Sequence, residues 1–210
     1  MSHLVLLGDS IFDNGAYVAG EPAVIDQVRD RLPRGWQASL LAVDGNVAMD
    51  VKNQLKRLPE DATHMVLSVG GNDALNVLDK LHSPIPLPMM GALQLLAGLQ
   101  VKFESQYSQV INSATSHGLP LMICTIYDQV PGLSQALRTS LSLFNDVIVR
   151  VGVQRGIPIL DLREICTEPG DFSLKSPIEP SSIGGAKLAG RIVAALVADD
   201  FSKTRCRVYS

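Results

Sequence analysis

Three short, polar, glycine-containing segments carry the residue types that acyl transfer needs: Gly8-Asp9-Ser10-Ile11-Phe12-Asp13-Asn14-Gly15, Asp44-Gly45-Asn46 and Gly70-Gly71-Asn72-Asp73. Ser10, on a sharp turn that Gly8 permits, can present its hydroxyl as a nucleophile. Gly45 has no Cβ to keep its backbone N–H away from a bound oxyanion. The side chain of Asn72 adds a second donor, and the backbone N–H of Ser10 a third. Donors aimed at developing charge are typically worth about 3–4 kcal/mol each in the transition state. Each segment alone has a plainer use. Asp9 or Ser10 can cap the next stretch of chain, Asn72-Asp73 can cap a helix beginning near Ala74, and Gly45 can be only a turn glycine. Convergence at one rim is what favours chemistry.

The elements that would bring them together are legible as apolar runs. Leu4–Gly8, Ala38–Val43, Met65–Val69, Leu121–Thr125 and Ile157–Leu162 read as strands apolar on both faces, as a parallel sheet covered on both sides requires. Helical spacing of apolar residues marks Pro22–Leu32, Val47–Leu58, a long stretch from about Gly91 to His117, Leu133–Gln154 and Ser181–Ala198. Alternation of strand and helix predicts an α/β chain: a three-layer α/β/α sandwich around a five-stranded parallel sheet in the flavodoxin-like order 2-1-3-4-5. Residues 1–200 form one domain and 201–210 a polar, frayed tail. Ligands bind outside the carboxyl ends of such strands, which is where all three segments fall.

With 46% hydrophobic and 19% charged residues, the chain of 210 residues fills a core and is not disordered. A net charge of −3 leaves no electrostatic footprint for nucleic acid or an anionic membrane. No run approaches a membrane span. Cys124, Cys166 and Cys206 are odd in number and widely spaced, so they form neither a disulfide framework nor a metal-ligand pair. No metal and no cofactor is implied. Reduced cysteines and no visible targeting segment point to the cytoplasm. The expected partner is a small ester or acylated molecule, and the oligomeric state stays open.

In combination these motifs resemble those of the SGNH or GDSL-type hydrolase superfamily, which includes esterases, thioesterases and lysophospholipases. Its first block fits Gly8-Asp9-Ser10, with Ile11 in place of the usual leucine; its glycine block fits Gly45; its Gly-x-Asn-Asp block fits Gly70 to Asp73. The resemblance implies Ser10 as nucleophile, an oxyanion hole from Ser10, Gly45 and Asn72, and a loop-supporting role for Asp9; Asp13, Asp73 and Ser176 read as further supporting residues. The fourth block, Asp-x-x-His-Pro-Ser-x-x-Gly, is altered. Here Ser176-Pro177-Ile178-Glu179-Pro180-Ser181-Ser182-Ile183-Gly184 keeps the proline, serine and glycine but carries Glu179 for the histidine and Ser176 for the aspartate.

The base is therefore open at this point. Glu179 can serve as the base, or cap the last helix, or bind a ligand. His82 can reach the rim through the loop Ser83–Pro88, and Lys175 or Asp171 are further candidates. His3, His64 and His117 precede strands, at the opposite end of the sheet, and read as surface residues. Phe12, Tyr17 and Tyr127 are candidates to line a cleft. The apolar run Leu93–Leu99, with Met89 and Met90, would cover an acyl pocket, meet a partner or simply be buried. Two functions fit these residues: an ester hydrolase with an atypical base, or an impaired member of the fold that binds an acylated or anionic ligand. A flavodoxin-like cofactor protein is disfavoured, because the first loop lacks a phosphate-cradling pattern.

Overall fold

A computed structural model describes residues 2–78, 87–199, 201 and 206–209. His82 and the loop Ser83–Pro86 lie outside them. Six strands, β1 (Ser2–Gly8), β2 (Trp36–Leu40), β3 (His64–Ser68), β4 (Leu121–Cys124), β5 (Ile159–Leu160) and β6 (Val208–Tyr209), form one parallel sheet in the order β2-β1-β3-β4-β5-β6. The expected order holds, with a sixth strand added. Val208–Tyr209, expected in a frayed tail, pairs with β5, where Ile159 N–H donates to Arg207 O at 2.7 Å and Asp161 N–H to Tyr209 O at 2.8 Å. Without it the short β5 would present unpaired backbone groups at the sheet edge.

Alternation of side chains along a strand decides which helix covers which face. Leu4 and Leu6 of β1 point into one core, shared with α1 (Val24–Arg31) and α6 (Ser182–Asp199). Val5 and Leu7 point into the other, shared with α2 (Val51–Leu55), α4 (Met89–Thr115) and α5 (Gln135–Arg155). All four side chains are fully buried, each worth about 1.5–3 kcal/mol by apolar burial. The short helix α3 (Gly71–Leu75) comes directly after β3. Among the described residues no helix is long and apolar enough to cross a membrane.

The N-terminal end of the sheet corrects one expectation. His3 is 5% exposed rather than a surface residue: Nδ1 lies 2.8 Å from Asp61 Oδ1 and Nε2 2.8 Å from Ser39 Oγ. His64 packs tilted against the Trp36 ring and meets Phe201 edge-on, and His117 is exposed. All three stand at the end of the sheet away from Ser10, because each precedes its strand or lies at its start.

Candidate active site

Gly8 ends β1 with φ +126°, and a Cβ there would stand 1.7 Å from the Ser68 carbonyl oxygen on β3. Only glycine lets the chain turn so close to its neighbour. The buried amide of Gln54 on α2 then grips both backbone groups of this residue: Gly8 N–H donates to Oε1 at 2.8 Å, and Nε2 donates to Gly8 O at 2.7 Å. The next turn is fixed by Asp9, whose carbonyl accepts from the N–H groups of Phe12 and Asp13. Ser10 sits in this turn, 6% exposed.

Two carboxylates position the glycine segment after β2. Asp13 Oδ2 accepts from Asp44 N–H at 2.9 Å, and Asp73 Oδ2 accepts from Ala48 N–H at 2.9 Å. Between them Gly45 takes φ +78°, in open space, so the backbone conformation rather than crowding requires glycine. Asn72, in the first turn of α3, donates one Nδ2 proton to Asn46 O at 2.9 Å. Its second amide proton is left to other acceptors. The N–H groups of Ser10 and Gly45 have no hydrogen-bond partner among the described residues. Ser10 and Asn72 line one cavity; Gly45 lies in the adjoining exposed turn.

Glu179 comes to Ser10 from the other side. The segment carrying it is laced to the first loop: Asn14, fully buried, donates from Nδ2 to Pro180 O at 3.0 Å, and Ser173 Oγ donates to Tyr17 O at 2.7 Å. Tyr127 OH donates to Ile178 O at 2.6 Å. Glu179 itself is 4% exposed. Burial raises the pKa of its carboxyl above the ordinary value, and the nearby Asp44 charge raises it further. Hydrogen bonding with the Ser176 and Ser10 hydroxyls pulls it the other way, while Oε2 is left buried without a hydrogen-bond partner of good geometry. Glu179 does not cap α6. Ser181 does, its Oγ accepting from Ile183 N–H at 3.1 Å and Gly184 N–H at 3.2 Å.

The remaining acidic groups have structural partners. Asp9 is buried, and desolvation pushes its pKa up to about 7, helped by the charges of Asp73 and Glu179. Its Oδ1 accepts from Ile11 N–H at 3.2 Å. Burial likewise raises Asp73 above the ordinary carboxylate range, against the Ala48 N–H. Asp171, 1% exposed, receives Lys187 Nζ at 2.7 Å and the N–H groups of Thr167 and Glu168. Lys175 Nζ donates to Ala16 O at 2.7 Å. Neither joins the Ser10 cavity.

Of the aromatic candidates, Tyr127 lines the cavity, Tyr17 stands at the rim with its hydroxyl donating to Asp44 at 2.7 Å, and Phe12 belongs to the core. The apolar run on α4 is not a wall of the cavity; α5 supplies that wall instead. Sequence reasoning missed Gln54 and Asn14. Both were visible only as polar residues on otherwise apolar or loop segments, and each acts through backbone groups far along the chain.

A family model described as the GDSL-like lipase/acylhydrolase family matches residues 6–182. Among solved structures, an extracellular lipase from Streptomyces rimosus superposes with a TM-score of 0.67 at 18% identity, covering 94% of this chain and 99% of that one. A member of the lipolytic protein G-D-S-L family from Veillonella parvula gives a TM-score of 0.70 at 12% identity, covering 94% and 99%. A variant of an acetyl xylan esterase from Geobacillus stearothermophilus gives 0.65 at 18% identity, covering 97% of each chain. At such identities these likenesses establish the fold alone. No curated protein matches the sequence at a significant level. The family match spans most of the chain and takes in all four blocks except the last few residues of the fourth, and the chain belongs to the GDSL-like lipase/acylhydrolase family.

Proposed function

We propose that the protein hydrolyses carboxylic esters with Ser10 as nucleophile and Glu179 as base. The observation that carries this reading is the Glu179 carboxyl, buried on a segment that Asn14 and Tyr17 lace to the loop carrying Ser10, with Oε2 left without a hydrogen-bond partner. Desolvation makes this carboxylate more basic than an ordinary glutamate, which narrows its deficit against an imidazole. Ser176, at the position of the family's aspartate, places a neutral hydroxyl near the carboxyl, which lowers its pKa, and adds no second charge beside it.

The Ser10 oxygen bonds to the ester carbonyl carbon as its proton passes to Glu179. The carbonyl electrons move onto oxygen, where the N–H groups of Ser10 and Gly45 and the free Nδ2 proton of Asn72 receive the charge. Collapse breaks the bond to the alcohol, which departs with the proton from Glu179. Water then attacks the acyl-enzyme, passing a proton to Glu179, and Ser10 is reprotonated as the acid leaves.

The loss of the histidine and aspartate together favours a second reading, a non-catalytic member that binds an acylated small molecule in the same pocket. Free thiols at Cys124, Cys166 and Cys206 support a reducing, cytoplasmic setting for either.

Fluorophosphonate labelling of the intact protein, read by mass, tests the proposal beside p-nitrophenyl ester turnover. An adduct lost in Ser10→Ala, with turnover lost in Glu179→Gln, is the expected result. Labelling without turnover at any pH would favour the binding protein. No adduct at all would refute Ser10 as nucleophile.

A further inference from the structure

The cavity at Ser10 combines a few polar lining residues with a largely apolar remainder. Asp9, Ser10, Ser68 and Asn72 are among the polar ones. The rest of the lining is apolar apart from Ser140, whose hydroxyl is bonded to Ala136 O of its own helix: Leu75 and Val77 come from the stretch after β3, Ile126 and Val130 from the stretch after β4, and α5 supplies a further wall. On α5, Leu137, Leu141 and Phe144 recur at helical spacing and face the cavity together. Phe144 is 5% exposed and packs on Phe103 with ring centroids 4.9 Å apart, which makes that end a fixed floor. The Ile126 wall is equally fixed, since Asn145 grips its N–H at 2.7 Å and its carbonyl at 2.8 Å.

Leu75 is 37% exposed, and Leu137 and Leu141 are half-buried. A preformed concave surface of such residues gains by covering itself with an apolar ligand group. The cavity volume is about 110 Å³. At roughly 10–15 Å³ for each water-sized group, this admits a chain of roughly seven to eleven such groups. An acetyl group would leave the leucine wall wet.

We infer that this cavity is the acyl subsite and selects medium-length apolar acyl groups over acetyl. The inference rests on the proposed Ser10 chemistry for its catalytic readout, but the cavity is also testable by binding alone. The fold does not dictate the choice, since an acetyl xylan esterase and a lipase share it; the side chains on α5 and after β4 do.

The experiment is a series of p-nitrophenyl esters from acetate to dodecanoate, run on the wild type, Leu141→Trp and Leu141→Ala. For each methylene that enters the cavity, kcat/KM is expected to rise by about fourfold, with a break where the Phe144 floor is reached. Filling the cavity in Leu141→Trp moves the break to shorter chains, and Leu141→Ala flattens the slope. Acetate hydrolysed as well as octanoate, with the same profile in all three proteins, overturns the inference and leaves ester hydrolysis standing. In parallel, titration calorimetry compares octanamide with acetamide on Ser10→Ala, whose cavity wall is intact. Octanamide binding that weakens on adding Leu141→Ala supports the subsite even if no ester is turned over. No preference for octanamide overturns it. Thermal melts of each variant verify that the fold is retained.

Discussion

Replacing Asp9 by asparagine should stabilise the protein, and the gain should depend on pH in a definite direction. Burial lifts the Asp9 carboxyl from 3.8 to about 7. In the unfolded chain it returns to the ordinary value. A shift of about three units at about 1.4 kcal/mol per unit makes the ionised, folded form about 4 kcal/mol costlier than a neutral group in its place. Below about pH 4 both states hold the proton and no cost exists. Between about pH 4 and about pH 7 only the unfolded state ionises, so the stability contributed by the native proton falls as pH rises. Above about pH 7 the full cost is present and constant. Asparagine has no such dependence, and its carbonyl oxygen can still accept the Ile11 N–H. Denaturant unfolding of both proteins from about pH 4 to about pH 8 should show a gap that opens toward neutral pH and then levels at about 4 kcal/mol. A gap that is constant with pH, or that widens toward acid, would refute the assignment of Asp9 as a desolvated carboxyl.

Glu179→Gln should lower kcat by about 10²–10⁴-fold, the usual range for a general base, with unfolding stability at neutral pH unchanged or raised. Because Glu179 must be ionised to act and its pKa is raised, the wild-type rate should climb through a single limb centred above about pH 4.3; Glu179→His should move that limb toward about pH 6.5, and a limb that stays put would exclude this residue as the base. Asn72→Ala should cost about 10²–10³-fold in kcat, with KM little changed, if its free amide proton meets the oxyanion; kinetics on the best chromogenic ester reads this directly. Gly8→Ala, whose Cβ would collide with Ser68 O, should cost about 4 kcal/mol or more in denaturant unfolding. Gln54→Leu should cost about 2–4 kcal/mol by leaving the N–H and one carbonyl bond of Gly8 unmet.

The sheet was readable where a strand is buried on both faces. β1, β3 and β4 stand out because Leu4–Leu7, Met65–Leu67 and Leu121–Ile123 are unbroken apolar runs. β6 did not, since two residues carry no period and Arg207 before them looks solvated. Ser10, Gly45 and Asn72 were legible for a chemical reason: small and polar residues interrupt apolar strands at one end of the sheet. Glu179 was legible as a substitution within a motif, but its burial was not, because Tyr127 after β4 and Asn14 and Tyr17 in the first loop draw its segment inward from two distant stretches. His3 failed as a surface residue for the same kind of reason. Ser39 and Asp61 reach it only once β1 pairs with β2 and the turn before β3 folds over it. Backbone-directed amides such as Gln54 leave no trace in local sequence, because what they bind has no side-chain identity.

Asn14 joins two parts of the chain that the sequence keeps apart. Its Nδ2 holds Pro180 O beside Glu179, and its Oδ1 accepts from Val24 N–H at 2.9 Å, at the first turn of α1. If the bond to Pro180 were broken, the Asn14 amide would lose one anchor, and its grip on Val24 would loosen with it. Hydrogen exchange at the single amide of Val24 therefore serves as a remote gauge of opening at the other end of the chain. A ligand that clamps the Glu179 segment shut would slow that one proton without touching the helix it belongs to.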